Sequence, residues 1–161
     1  MSRKKPSWRE KLADDKGLPR VIEIDATKSA AWGTGTCAIP APREIDALMR
    51  QVRRGRLTTI DELRAAIAWR HKASIGCPIT TGIFAWIAAH AAAEDEADHT
   101  RSPTPYWRTL KRGGELNPKY PGGLDALQQR LESEGHTVVL RRQRAFVVDF
   151  SQCLATLESE T

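Results

Sequence analysis

The stretch from Thr59 to Ala93 constrains this chain more than any other. Thr59-Ile60-Asp61-Glu62 has the form of a capping box, in which the Thr hydroxyl accepts from the Glu62 backbone N–H and the Glu62 carboxylate reaches back to the Thr59 N–H. Ile60, Leu63 and Ile67 follow at helical spacing, so a helix is expected to run to about Arg70. His71 to Gly76 then forms a turn. Pro78 starts a second helix at its first position, where a missing N–H costs nothing. That helix is expected over Ile79 to about Ala93, ending at the acidic Glu94-Asp95-Glu96. Two helices joined by a short turn with Gly76 make a helix-turn-helix, placed at about 59–93.

Around this unit the pattern is mixed. Residues 1–20 are polar and basic, with Pro6 and Pro19, and read as a flexible basic arm with a short helix around Trp8 to Asp14. Val21 to Asp25 alternates apolar and acidic residues and is a short strand; Cys37-Ala38-Ile39 is a second, after the Gly33-Thr34-Gly35-Thr36 punctuation. Ile45, Leu48, Met49 and Val52 put an apolar stripe on a helix over Arg43 to Arg53, stopped by Gly55. Asp98 to Thr104 reads as a loop, and Pro105 to Gly123, rich in Gly and Pro, as irregular. Leu124, Leu127 and Leu131 share one face of a helix from Leu124 to Glu134, closed by Gly135. Thr137 to Leu140 and Ala145 to Asp149 form a hairpin across Arg141-Arg142-Gln143-Arg144, and the tail from Ser151 is expected to fray. Together these give an α+β fold, a winged-helix-type helix-turn-helix domain over 21–150 with short N-terminal strands, a C-terminal β-hairpin, and a tail over 151–161.

Charge and cysteine usage narrow the function classes. Hydrophobic residues make up 40% of the chain, enough for one core and too many for a disordered chain. The formal net charge is +5, which favours a polyanionic partner. Its cations recur in clusters: Arg50 with Arg53-Arg54 and Arg56, Arg70 with Lys72, Arg108 with Lys111-Arg112, and Arg141-Arg142 with Arg144. Cys37, Cys77 and Cys153 are widely spaced and odd in number, so neither a metal centre nor a disulfide framework is expected, and no cofactor is implied. The charged opening Ser2-Arg3-Lys4-Lys5-Pro6 lacks a following apolar run, so no signal peptide is expected. The longest apolar stretch, Gly82 to Ala93, is too short to span a bilayer and contains His90. A cytoplasmic monomer without membrane association is the expectation.

The Pro105-Tyr106-Trp107-Arg108 stretch resembles the Pro-Cys-His-Arg box of O6-alkylguanine-DNA alkyltransferases, which move an alkyl group from a flipped guanine onto a cysteine. Its flanking Pro and Arg are kept; Tyr106 stands at the Cys and Trp107 at the His. Gly55-Arg56-Leu57-Thr58-Thr59 is similar to the family's Gly-x-Val-x-Thr start of the first helix. Gly114-Glu115-Leu116, Tyr120-Pro121-Gly122-Gly123-Leu124 and Leu131-Glu132 resemble its Gly-x-Leu-Gly-Gly-Tyr-x-Gly-Gly-Leu run and closing helix, with one extra residue between Leu116 and Tyr120. The resemblance covers Gly55 to Gly135, about half the chain. It implies that the second helix enters the DNA minor groove, where small side chains let the backbone approach. Gly82, Ala85, Ala88, Ala89 and Ala92 are the candidates, with Thr80 and Thr81 as phosphate contacts; without the resemblance, the same small residues serve equally well for packing one helix tightly against another. Thr59, Arg56, Lys72, Arg108, Lys111 and Arg112 complete the expected DNA-binding set.

Departures from the family carry equal weight. A thiolate attacks the alkyl carbon and a His base helps generate it; neither a tyrosine nor a tryptophan substitutes. The family's helix tyrosine falls near Ile60 and its arginine finger near Gly82, and no Arg lies between Lys72 and Glu96. Alkyltransferase-like proteins also lack the cysteine and bind damaged DNA as flags for repair. The resemblance therefore implies a non-catalytic binder of double-stranded DNA, with alkylated guanine as the candidate lesion and a DNA-repair protein as a further partner. Two alternatives remain: an interaction protein that keeps the fold and binds protein or RNA, and a thiol enzyme using Cys77, which sits at a helix N-cap where the macrodipole lowers a thiol pKa. Tyr106 and Trp107 either line a base-sized pocket or plug a former one.

Overall fold

Short pairings and buried caps, more than long strands, assemble this domain. A computed structural model of the chain describes residues 4–99 and 101–158. The outer ends of the expected arm and tail, and Thr100 in the expected loop, lie outside the described residues. The elements run α1 (Trp8–Ala13), β1 (Arg20–Glu23), α2 (Ser29–Trp32), β2 (Thr36–Ile39), α3 (Pro42–Arg50), β3 (Thr58–Thr59), α4 (Ile60–Arg70), β4 (Ile75–Gly76), α5 (Pro78–Asp98), β5 (Thr109–Leu110), α6 (Gly123–Ser133), β6 (Val138–Arg141) and β7 (Arg144–Val147). The fold is α+β, with a C-terminal antiparallel hairpin, β6–β7. No helix among the described residues is long and apolar enough to cross a membrane.

Helices α3, α4 and α5 start where the sequence places a cap or a proline. Pro42 opens α3, and the Glu44 carboxylate accepts from the Ala41 N–H at 2.9 Å. The same carboxylate ties α3 to the end of α4, with His71 Nε2 at 2.7 Å and Arg70 Nε at 3.2 Å. At α4 the Thr59 hydroxyl accepts from the Glu62 N–H at 3.2 Å. The reciprocal half of the expected box is not made among the described residues, because Thr59 also closes β3, which pairs in parallel with β5. Cys77 is the N-cap of α5, and Pro78 takes its first position.

The helix-turn-helix turn is also a strand. Ile75 and Gly76 pair in parallel with Cys37 and Ala38 of β2, which in turn pairs antiparallel with β1. Thr36 and Ser74 exchange backbone-to-hydroxyl bonds at 3.0 and 3.1 Å, and the Cys77 N–H donates to Ala38 O at 2.9 Å. The N-terminal strands therefore set where α5 begins. Around that start the core gathers Ile45, Leu48 and Met49 from α3, Leu63 and Ile67 from α4, Phe84 and Ala85 from α5, and Leu127 and Leu131 from α6.

Four expectations are corrected. The acidic Glu94-Asp95-Glu96 does not end the second helix, which runs on to Asp98, because each carboxylate has a partner there. Glu94 accepts from the Arg9 N–H, buried Asp95 lies near Arg9 and Arg101, and Glu96 pairs with Arg130. The segment expected as a free arm carries α1 docked along α5, with Trp8 stacked on His90 at 4.5 Å and edge-on to Trp86 at 4.7 Å. The tail does not fray at Ser151. A 3-10 turn at Phe150–Cys153 leads into bonds with Leu57, whose N–H donates to Cys153 O while Ala155 N–H donates to Leu57 O. Within the stretch expected to be irregular, β5 and two 3-10 turns, Tyr106–Arg108 and Arg112–Gly114, supply order.

Two glycines test this packing in opposite directions. A Cβ on Gly76 would sit 2.4 Å from the Arg64 carbonyl oxygen, so Gly76→Ala must push α4 and the turn apart. It should lower stability by about 1–3 kcal/mol in urea unfolding. A Cβ on Gly82 meets nothing within 4 Å, so Gly82→Ala, inside α5, should raise stability by up to about 1 kcal/mol.

Candidate nucleic-acid interface

The exposed large apolar side chains of α5 lie in its N-terminal half. Ile79 and Ile83, one turn apart, are 59% and 45% exposed. They form one wall of a recess of about 420 Å³, with Gly82 and Trp86 on the same helix and Ile60 from the start of α4. The opposite wall is the loop after β5, contributing Lys111, Asn117 and Lys119. That loop is held by its own contacts. Lys111 and Glu115 exchange a backbone bond, Leu116 N–H donates to Ala145 O at 2.9 Å, and His90 Nε2 lies 3.2 Å from Lys119 O. An apolar floor with cations at the rim suits a flat hydrophobic group attached to an anionic backbone.

Behind this wall stands the Pro105–Arg108 box. Tyr106 is 3% exposed and packs edge-on against Trp107 at 5.4 Å and Tyr120 at 6.1 Å. Burial pushes its phenol pKa up, so it stays protonated. Trp107 lies under the Arg130 guanidinium at 4.3 Å, and its Nε1–H donates to Glu134 Oε2 at 2.8 Å. Arg108 Nε donates to Glu134 at 2.6 Å, and another of its guanidinium nitrogens donates to Val52 O at 2.7 Å. Side chains of Arg108 and Glu134 are 14% and 2% exposed. Burial alone would raise the Glu134 pKa, but the bonds from Arg108 and Trp107 outweigh it and hold the carboxyl below its ordinary value. Tyr106 fills the core here, whereas Trp107 is half-buried and lines a separate cavity of about 550 Å³ with Arg53, Arg54 and Pro105; neither lines the recess beside α5.

The structure divides the expected DNA-binding set. Gly82 and Lys111 reach the recess, and Lys72 is exposed at the turn after α4. Thr80 is half-buried, its hydroxyl enclosed without a partner among the described residues. Thr81 and Ala85 are both 0% exposed, as are Ala88 and Ala89, so the small residues expected to approach DNA pack α5 into the core instead. Thr59 is 5% exposed and spent on its cap. Arg108 is no phosphate contact, because its guanidinium is taken by Glu134 and Val52. Arg112 is exposed but paired with Asp61 at 2.8 Å. Arg56 is exposed and lines a different cavity, with Arg53 and Leu154. At the β6–β7 hairpin, Arg144 of the last cation cluster grips buried Glu115 through two bonds, at 2.7 and 2.9 Å.

Residues missed in the sequence are Ile79, Ile83, Trp86, Asn117, Lys119 and Glu134. For Ile79 and Ile83 a signal existed: they lie outside the stripe Phe84-Ala85-Ala88-Ala92 on a helix apolar nearly all round. Cys77 is 5% exposed, and its Sγ accepts from the Thr80 N–H at 3.5 Å. Burial and the adjacent Cys77 thiol push Cys37 up to about 11. Both thiols are enclosed in the packing between β2 and α5, which favours the structural role for Cys77.

Removing Arg108 isolates a buried carboxylate, so Arg108→Ala should cost about 3–5 kcal/mol at neutral pH. Because the folded pKa of Glu134 is depressed, the pair's contribution is complete above the ordinary carboxylate range and is lost as pH falls through the folded value. Urea unfolding of protein and variant at pH 7 and at about pH 3 should show a stability gap that narrows in acid. A gap of equal size at both would place the cost elsewhere.

No family model matches the chain, and no curated protein does. Among solved structures, the chain is similar to S. pombe Atl1 in complex with damaged DNA containing O6-carboxymethylguanine. Identity is 13%, the match covers 71% of this chain and 94% of that one, and the TM-score is 0.52. At that identity the likeness is one of fold: this chain shares the helix-turn-helix architecture of an alkyltransferase-like protein.

Proposed function

We propose that the chain binds duplex DNA without chemistry, laying the N-terminal half of α5 in the minor groove and receiving an alkylated base in the recess beside it. The observation that carries this is the recess: apolar and aromatic along α5, with Lys111 and Lys119 on the far rim. Its volume, about 420 Å³, falls in the usual range for sites that enclose small molecules, about 300–1,000 Å³. The fold neighbour's complex with damaged DNA supports the same reading.

Where the alkyltransferases use an arginine finger, this helix offers Ile79 and Ile83. Apolar side chains inserted at a base step unstack it and bend the duplex, which is how many minor-groove proteins open DNA without a charged finger. Trp86 then supplies a face for the extruded base. Alkyl transfer has no support in the local chemistry, since the residue at the family's cysteine is a buried, protonated phenol. A protein that holds a lesion without removing it needs a second protein to act, so a DNA-repair protein is the further partner. On this reading the β6–β7 hairpin is the wing of a winged-helix domain that works as a monomer.

Fluorescence anisotropy with duplexes carrying or lacking O6-methylguanine, at two salt concentrations, tests the proposal. Binding should weaken steeply with salt and be tighter for the lesion. Ile83→Glu should weaken it about tenfold or more, and Lys119→Ala should weaken both duplexes alike and lower the salt slope by about 1. Absent binding, or binding indifferent to salt, would end the proposal.

A further inference from the structure

Two cavities away from α5 share one wall, the backbone of residues 154–156. On one side Arg50, Arg53 and Arg56 line a cavity of about 700 Å³. On the other, Ala65, Ala66 and Trp69 of α4 line one of about 440 Å³. Trp69 is 78% exposed, far more than a tryptophan needs to be for packing. Arg50 is engaged by Asp46 and the Ser102 carbonyl. Arg53 and Arg56 are exposed and have no ion pair or side-chain hydrogen bond among the described residues.

The wall between the cavities is extended backbone, bridged in parallel to Leu57 at Leu154. Leu154 is extended, at φ −64° and ψ 130°. Its neighbours bond inward: Leu57 N–H donates to Cys153 O at 2.9 Å, and Ala155 N–H donates to Leu57 O at 2.8 Å. The Gln51 amide then holds both backbone groups of Glu158, at 2.8 and 2.7 Å. Backbone groups alternate in direction along a strand, so those of Leu154 and Thr156 face outward. They make no hydrogen bond among the described residues. An open edge of this kind is a template for another extended chain.

We propose that this face docks an extended acidic segment of a partner protein, added as a strand along residues 154–156. Successive side chains of that segment point to opposite sides. Carboxylates on one side meet Arg53 and Arg56, and apolar side chains on the other cover Trp69, so the partner sequence alternates acidic and apolar residues. A nucleic acid fits less well, because a phosphodiester backbone brings only acceptors and leaves the Leu154 and Thr156 carbonyls unanswered. The proposal stands apart from duplex binding and does not depend on it.

The test uses the full chain and a fluorescein-labelled peptide alternating glutamate with valine. Its controls are the lysine-for-glutamate peptide, the same acidic peptide N-methylated at alternate amides, and single-stranded oligothymidine. The acidic peptide should bind, with both peptide controls weaker by about tenfold or more. Trp69→Ala and Arg53→Glu should each weaken it to a similar degree while leaving the unfolding midpoint unchanged. Equal binding of the acidic and basic peptides, indifference to N-methylation, or an unaltered Trp69→Ala variant would overturn the proposal. Oligothymidine binding that depends on Trp69, without peptide binding, would overturn it in favour of a nucleic acid.

Discussion

A carboxylate buried at the end of α6 fixes the geometry on which the rest of this domain depends. Glu134 is nearly sealed from water, and an isolated charge there would cost several kcal/mol. Its partners come from the Pro105–Arg108 box, and Arg108 reaches on to the Val52 carbonyl. One charge thus joins the end of α6, the box, and the connection from α3 to β3. β5 leaves the box directly and pairs with β3, which leads without a break into α4. Two of the segments that line the α5 recess, the start of α4 and the loop after β5, are therefore referred to the same buried pair.

That arrangement explains how Tyr106 and Trp107 sit side by side in the box without loosening the fold. An indole N–H is a hydrogen-bond donor, which is what Glu134 needs from position 107, and the indole face adds a seat for Arg130. Tyr106 contributes area against Tyr120 and Trp107, with its hydroxyl kept neutral by burial. The box acts as a strut. What it supports, the loop carrying Lys111 and Lys119, still faces α5 across an open recess.

Much of this was legible in the sequence wherever a local rule decides the outcome. Thr59, Pro78 and Gly135 marked ends of helices because capping is a matter of a few neighbouring residues, and the leucines of α6 repeat at a spacing only a helix satisfies. Two-residue strands have no period to read, so β3, β4 and β5 were invisible, and with them the anchoring of the turn to β2. The acidic run at 94–96 reads as a stop because two of its cations, Arg9 and Arg130, lie far away in sequence and the third, Arg101, lies beyond the helix end. Arginines posed the same difficulty for the site. Arg108, Arg112 and Arg144 are indistinguishable by sequence from Arg53 and Arg56; only the position of a folded carboxylate separates the struts from the free cations.

With those cations sorted, α4 emerges as a helix with two working faces. Ile60 and Trp69 lie about half a turn apart around its axis. The first closes the recess beside α5, and the second stands open beside the tail. Leu63 and Ile67, on the same side of the helix as Ile60, are fully buried, which fixes the rotation of the helix and leaves Trp69 facing outward. A duplex on one side and a protein segment on the other would therefore not compete for the same atoms. Their common element is the run from Arg56 to Ile60, which pairs with the tail at Leu57, with β5 at Thr58 and Thr59, and enters the recess at Ile60. Pairing on both sides of so short a run would let the two proposed ligands be held at once with little mutual distortion.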